Sequence, residues 1–204
     1  MEAPGGLSEA VARQIAVVRA SCYDPRVPFT VRRTREVFRG RVIRVVVQDV
    51  VLPNGRKAIW NIVEHPGAVT IVPLFENGDV LLVRQFRAAI GAWLYELPAG
   101  TLEPGEPPAT TARRELIEET GYRCRTLRKV SEFYTVPGFC TEKMRLFVAG
   151  GLTPAHADGD EDEIIRPVRL PYRKAMAMVT SGKIRDAKSI VGLMMANGAG
   201  RGRR

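Results

Sequence analysis

The sequence predicts an α/β (α+β) fold, and three observations carry that prediction. Residues 30–85 are dense in strand-forming residues and are punctuated by turns at Asn54-Gly55 and Asn77-Gly78. Residues 107–120 follow helix grammar at both ends, and two further helical stretches close the chain. With 204 residues and 45% hydrophobic content, the chain holds enough apolar material for one large domain or two small ones.

Leu7, Val11, Ile15 and Val18 recur at helical spacing and predict a short amphipathic helix over residues 7–21. Thr30 to Leu52 is rich in Val, Ile and Arg and reads as strand, Pro53-Asn54-Gly55 as a hairpin turn, and Ala58 to Glu64 as the returning strand. Val69–Phe75 and Asp79–Gln85, joined through Glu76-Asn77-Gly78, read as a second hairpin. Pro107 and Pro108 open a helix and Gly121 closes it, with Ala109, Ala112 and Leu116 on one face. Strands are expected at Leu127–Tyr134 and Lys143–Ala149, then helices at Pro171–Ser181 and Asp186–Ala196, separated by Gly182.

Composition excludes several classes of function. The longest apolar stretches, Val45–Val47 and Val50–Leu52, are cut by Arg44, Gln48 and Asp49. They fall far short of the roughly 20 residues that span a bilayer. The N-terminus lacks a charged region followed by an apolar one, so a cytoplasmic protein is expected. Cys22, Cys124 and Cys140 form no CxxC pair, which argues against a disulfide framework and a thiolate zinc site. His65 and His156 are too far apart in sequence for a histidine metal site and are read as non-catalytic. Any metal is therefore expected on oxygen. The net charge of +9 is concentrated in six arginines between Arg32 and Arg44 and in the terminal Arg201, Arg203 and Arg204. This reads as a solvated basic edge and tail or as attraction for phosphate, and without interleaved aromatics not as a nucleic-acid platform.

The helix at residues 107–120 carries the chemistry. Residues three and four apart share a helix face, so Glu115, Glu118 and Glu119 bring three carboxylates together. Arg114 precedes Glu118 by four residues and is placed to pair with it, leaving Glu115 and Glu119 for a hard cation such as Mg²⁺ or Mn²⁺. A Gly- and Pro-rich loop, Glu96 to Glu106, leads into the helix.

Gly100, Glu106, Arg114, Glu115, Leu116, Glu118, Glu119 and Gly121 stand at the spacing G-x5-E-x7-R-E-U-x-E-E-x-G, where U is aliphatic. This resembles the Nudix box. From average residue frequencies, seven fixed positions match by chance with a probability on the order of 10⁻⁸ per starting site. The family pattern ends on an aliphatic residue, and Tyr122 stands there instead. Three further segments resemble the ADP-ribose pyrophosphatase branch: Tyr95-Glu96-Leu97-Pro98-Ala99-Gly100, Pro137 in Tyr134–Phe139, and Gly182–Ser189.

The resemblance implies a Nudix fold, a mixed β-sheet sandwiched between helices, with an N-terminal β-rich segment that makes a homodimer. It implies residues 1–64 as that dimerising segment, 65–197 as the catalytic domain and 198–204 as a basic, disordered tail. The implied activity is metal-dependent hydrolysis of ADP-ribose to AMP and ribose 5-phosphate. The alternatives are another nucleotide sugar such as GDP-mannose, or a module that binds nucleotide or RNA without hydrolysis. Glu115, Glu119 and the Ala99 carbonyl are implied as metal ligands, with Glu118 either a further ligand or held by Arg114. Glu142, in the loop after Pro137, is implied as the general base. Arg87 is implied as a phosphate or ribose contact and Trp60 as an adenine-stacking residue reaching from the neighbouring subunit. Glu96 is read as accepting from the adenine amino group, holding a metal, or capping its loop.

Overall fold

The computed structural model describes residues 29–156 and 165–199. The helix expected over residues 7–21, Cys22 and residues 200–204 lie outside them. Two compact units are distinguished: one up to Gly67 with Glu103–Glu106 and Tyr134–Lys143, the other comprising Ala68–Leu102, Pro107–Phe133 and the chain from Met144 onward.

The first unit is an antiparallel meander of β1 (Thr30–Arg39), β2 (Arg44–Val51) and β3 (Lys57–Glu64). The run expected from Thr30 to Leu52 is thus two strands. It turns where the Gly40 N–H donates to the Ile43 carbonyl at 2.9 Å. β1 is the edge strand and is exposed along nearly its whole length, which its arginines tolerate while they discourage edge-to-edge pairing. Val46 and Val50 of β2 are buried. The expected hairpin turn joins β2 to β3, with Gly55 in the left-handed region at φ 75°. Arg44 ties the strands by pairing with Glu36 of β1 and Glu64 of β3. The segment after Tyr134 belongs to this unit: the Val63 N–H donates to the Phe139 carbonyl at 2.7 Å and the Thr141 N–H to the Val63 carbonyl at 2.9 Å.

The second unit holds two sheets. In one, β4 (Ala68–Pro73) is central, flanked by β7 (Ala99–Thr101), antiparallel to it, and by β9 (Lys143–Pro154), parallel to it, with β8 (Tyr122–Tyr134) beyond β9. In the other, β5 (Asp79–Arg87) lies between β6 (Ala92–Glu96) and β10 (Ile165–Pro171), antiparallel to both. The expected Val69–Gln85 hairpin is therefore corrected. Its turn forms, with the Phe75 N–H donating to the Asp79 carbonyl at 2.9 Å, but a single Leu74–Val80 bridge follows before the strands part into different sheets. The reason is burial: β4 is buried at all six positions and β5 on both faces, so each takes two other neighbours.

Among the described residues, three α-helices complete the unit: α1 (Pro108–Thr120), α2 (Tyr172–Thr180) and α3 (Ala187–Ala199), close to the expected spans. The mixed sheet lies between them. Val69, Ile71, Phe147 and Ala149 pack with Ala112 and Leu116 of α1, while Val72 and Leu146 pack with Ala175, Met178, Leu193 and Ala196 of α2 and α3. The alternation of these residues along β4 and β9 is the two-residue period that gives one sheet two apolar faces. Among the described residues, no helix is long and apolar enough to cross a membrane.

Candidate active site

α1 positions the acidic residues through its apolar face. Ala112 and Leu116 are fully buried beneath the sheet, which fixes the rotation of the helix. The helix ends where Gly121, at φ 72°, donates its N–H to the Ile117 carbonyl at 2.8 Å. With that rotation set, Glu115 and Glu119 lie against the backbone of β7. Glu119 is only 9% exposed and accepts the Ala99 N–H at 3.0 Å. A Cβ on Gly100 would fall 1.9 Å from Glu115 Cδ and 2.0 Å from its Oε1, so glycine there leaves the space that the carboxylate fills. β7 is held in turn by its pairing with Val69 and Thr70 of β4 and by the Ile71 N–H, which donates to the Pro98 carbonyl at 2.9 Å.

Arg114 Nη1 lies 2.7 Å from Glu118 Oε2, the expected helix pair, and also 2.9 Å from Glu115 Oε1. Arg114 thus reaches Glu115 as well as Glu118, the partner expected from the helix spacing. One guanidinium within reach of both carboxylates offsets their mutual repulsion. Among the described residues, no three His, Cys, Asp or Glu side chains come together closely enough, as they stand, to hold a metal ion. The donor set still fits a hard divalent cation: three carboxylates sit within little more than one helical turn, beside a backbone strand where Gly100 leaves room, and all offer oxygen. Glu115 and Glu119, with Glu118 beside them, are the residues that could hold such an ion.

Arg87, at the end of β5, and Glu96, at the end of β6, form a bidentate pair, Nε to Oε1 at 2.8 Å and Nη2 to Oε2 at 2.7 Å. Glu96 is 1% exposed, and Lys188 Nζ also donates to its Oε2. Burial pushes the Glu96 carboxyl up, but its bonds to Arg87 and Lys188 outweigh that and hold it below the usual carboxylate range. The same pairing raises Arg87 further. Of the readings open for Glu96, the carboxylate is engaged by two cations of its own chain. Lys188, Asp186 and Ser189, which surround it from the start of α3, were not singled out from the sequence. Their segment bore a family resemblance, yet nothing in its pattern says that it reaches residue 96.

In the first unit, Trp60 stands on β3, half-buried, with its ring edge-on to Phe29 at 4.7 Å between centroids. Glu142 accepts a hydrogen bond from the Thr135 hydroxyl, and its Oε1 lies 3.8 Å from His65 Nε2. His65 Nδ1 accepts the Gly67 N–H at 3.0 Å, so the ring proton sits on Nε2, toward Glu142. Burial pushes the His65 pKa down, opposed by the nearby Glu142 charge. A histidine set aside from the sequence is thus packed against the expected base.

The NUDIX domain family matches residues 64–190. The ADP-ribose pyrophosphatase of Bacillus subtilis (strain 168) is 41% identical over 156 residues, covering 76% of this chain and 84% of that protein. The GDP-mannose pyrophosphatase of Cronobacter sakazakii is 40% identical over 134 residues, covering 61% of this chain and 70% of that one. A crystal structure of an ADP compounds hydrolase superimposes with a TM-score of 0.76 at 26% identity, covering 86% of this chain and 97% of the other. With the family matched over most of the chain and the box carboxylates set against β7, this protein belongs to the Nudix hydrolase family, whose members generally use divalent metal ions.

Proposed function

We propose that the protein hydrolyses the pyrophosphate bond of ADP-ribose, giving AMP and ribose 5-phosphate, in the cytoplasm and with Mg²⁺ or Mn²⁺. The observation that supports diphosphate chemistry is the seating of Glu115 and Glu119 against the Ala99–Gly100 backbone. The choice of ADP-ribose rests on the pyrophosphatase relative at 41% identity. GDP-mannose is the second reading, favoured by the relative of that activity.

A bound divalent cation would neutralise the diphosphate and lower the pKa of an attacking water. The residues of the chain divide the remaining work. Glu115, Glu119 and the Ala99 carbonyl would hold the cation, and Arg114 sets Glu118 beside them. Arg87, with its fork oriented by Glu96, binds a phosphate or ribose oxygen. Glu142 takes the proton as the water oxygen bonds to phosphorus and the bridging P–O bond breaks toward the leaving phosphate. The active unit is a homodimer, in which Trp60 stacks on the adenine of the neighbouring subunit's substrate.

A product assay over a panel containing ADP-ribose and GDP-mannose, with Mg²⁺ and then with EDTA, tests the reading. AMP release that is fastest from ADP-ribose and abolished by EDTA is the expected result. Preferential GMP release would move the substrate to GDP-mannose. Absence of turnover with every member would overturn the hydrolase reading.

A further inference from the structure

Two cations converge on the buried Glu96 carboxylate, and they differ in access. Arg87 comes from the end of β5 and Lys188 from the first turn of α3. The Lys188 side chain is 11% exposed and that of Arg87 39%. Arg87 is therefore the member of the cluster with an edge toward solvent. Its Nε and one Nη2 hydrogen go to Glu96, which leaves the Nη1 donors and a second Nη2 hydrogen for a ligand. A guanidinium gripped through two parallel bonds has its direction fixed by the carboxylate that grips it.

The carboxylate is fixed from behind. Glu96 Oε2 accepts from both Arg87 and Lys188, and Lys188 Nζ also lies 3.1 Å from Asp186 Oδ2. Asp186 caps α3 by accepting the Ser189 N–H at 3.0 Å, and Ser189 Oγ accepts the Leu97 N–H at 2.6 Å. The first turn of α3 thus holds the side chain of residue 96 and the backbone of residue 97 together. Buried ion clusters are poor sources of net stability, since apolar replacements of similar volume are often as stable or more so. Orientation of the exposed member is what such a cluster supplies here.

We propose that Lys188 is a positioning residue for substrate binding: by clamping the Glu96 carboxylate it aims the Arg87 guanidinium at an anionic phosphate of the substrate. The proposal rests on the nucleoside-diphosphate reading given above and deepens it. Lys188 touches no substrate; its effect reaches the ligand through Glu96 and Arg87.

The test combines steady-state kinetics with calorimetric binding of ADP-ribose in EDTA, where no metal contributes. Lys188→Met is expected to raise KM about tenfold while kcat stays within about threefold, and to weaken metal-free binding by a similar factor. Lys188→Arg, which keeps a cation on Glu96, is expected to restore KM. Glu96→Gln should also raise KM, and the Lys188→Met/Glu96→Gln double variant should be no worse than Glu96→Gln alone, because both act on one guanidinium. A merely structural lysine would lower the melting temperature, leave KM unmoved and add independently to Glu96→Gln. If Lys188→Met does not fold, Lys188→Gln takes its place with the same two outcomes. Wild-type turnover with a variant KM within twofold overturns the positioning role alone. Wild-type protein that neither binds nor hydrolyses any nucleotide sugar overturns the diphosphate reading and this proposal with it.

Discussion

A methyl group on residue 100 separates fold from function at the scale of one residue. It would strike the Glu115 carboxylate, the far end of a flexible side chain, and the backbone of Gly100 does not require positive φ. Gly100→Ala is therefore expected to fold with a melting temperature within a few degrees of wild type while activity drops by at least about tenfold, because the displaced group belongs to the proposed cation site. Wild-type kcat/KM in this variant would remove Glu115 from that site. Glu119→Gln makes the companion case. Its amide oxygen still accepts the Ala99 N–H, so the local structure stays, but a neutral amide binds a hard cation far less well than a carboxylate. Turnover is expected to drop about a hundredfold or more, and near wild-type rates at saturating Mg²⁺ would refute the assignment.

At the scale of elements, α3 and the Tyr134–Lys143 segment have separate physics. Gly192 of α3 sits against the core: a Cβ there would lie 2.5 Å from Leu97 Cδ1 and 3.2 Å from Leu146 Cδ1. Gly192→Ala gains up to about 1 kcal/mol of helix propensity but overpacks a site where crowding costs about 1–3 kcal/mol. Net destabilisation in urea unfolding is the expected sign. The Tyr134–Lys143 segment is tied to His65, just past the end of β3, through Thr141 and Glu142. Since burial lowers the pKa of folded His65, the unfolded chain binds the additional proton first on acidification. Stability is then full above the ordinary histidine value of 6.5 and decreases as pH falls from there toward the folded-state pKa. His65→Gln should flatten that part of the pH–melting profile, and an unchanged slope would show that another group titrates there.

For the whole molecule, the proposed homodimer has support in the surface of the first unit. Val37, Phe38, Ile59 and Phe139 are each more than half exposed there. Exposed apolar surface of this kind commonly marks an interface. Sedimentation is expected to give twice the 22.6 kDa chain mass, and Phe38→Glu with Ile59→Lys to shift it toward monomer with a loss of activity. A fully active species at the chain mass would overturn the dimer.

What the sequence by itself determined is local: the Pro107–Gly121 helix with its carboxylates, the Asn-Gly turns, the closing helices and the family to which the spacing of the box belongs. Helix caps, turn chemistry and the 3.6-residue period are short-range physics, so a single strand of text carries them. Tertiary structure alone decided which strand pairs with which. It separated β4 and β5 across a sound turn, because each is buried on both faces and takes partners from distant parts of the chain. It recruited β10, whose prolines at residues 167 and 171 read poorly as strand, as the edge neighbour of β5. It also brought Lys188 to Glu96 across 92 residues and laid Arg114 between two glutamates. Such contacts form where desolvated charges find partners in space, and the distance along the chain says nothing of where that will be.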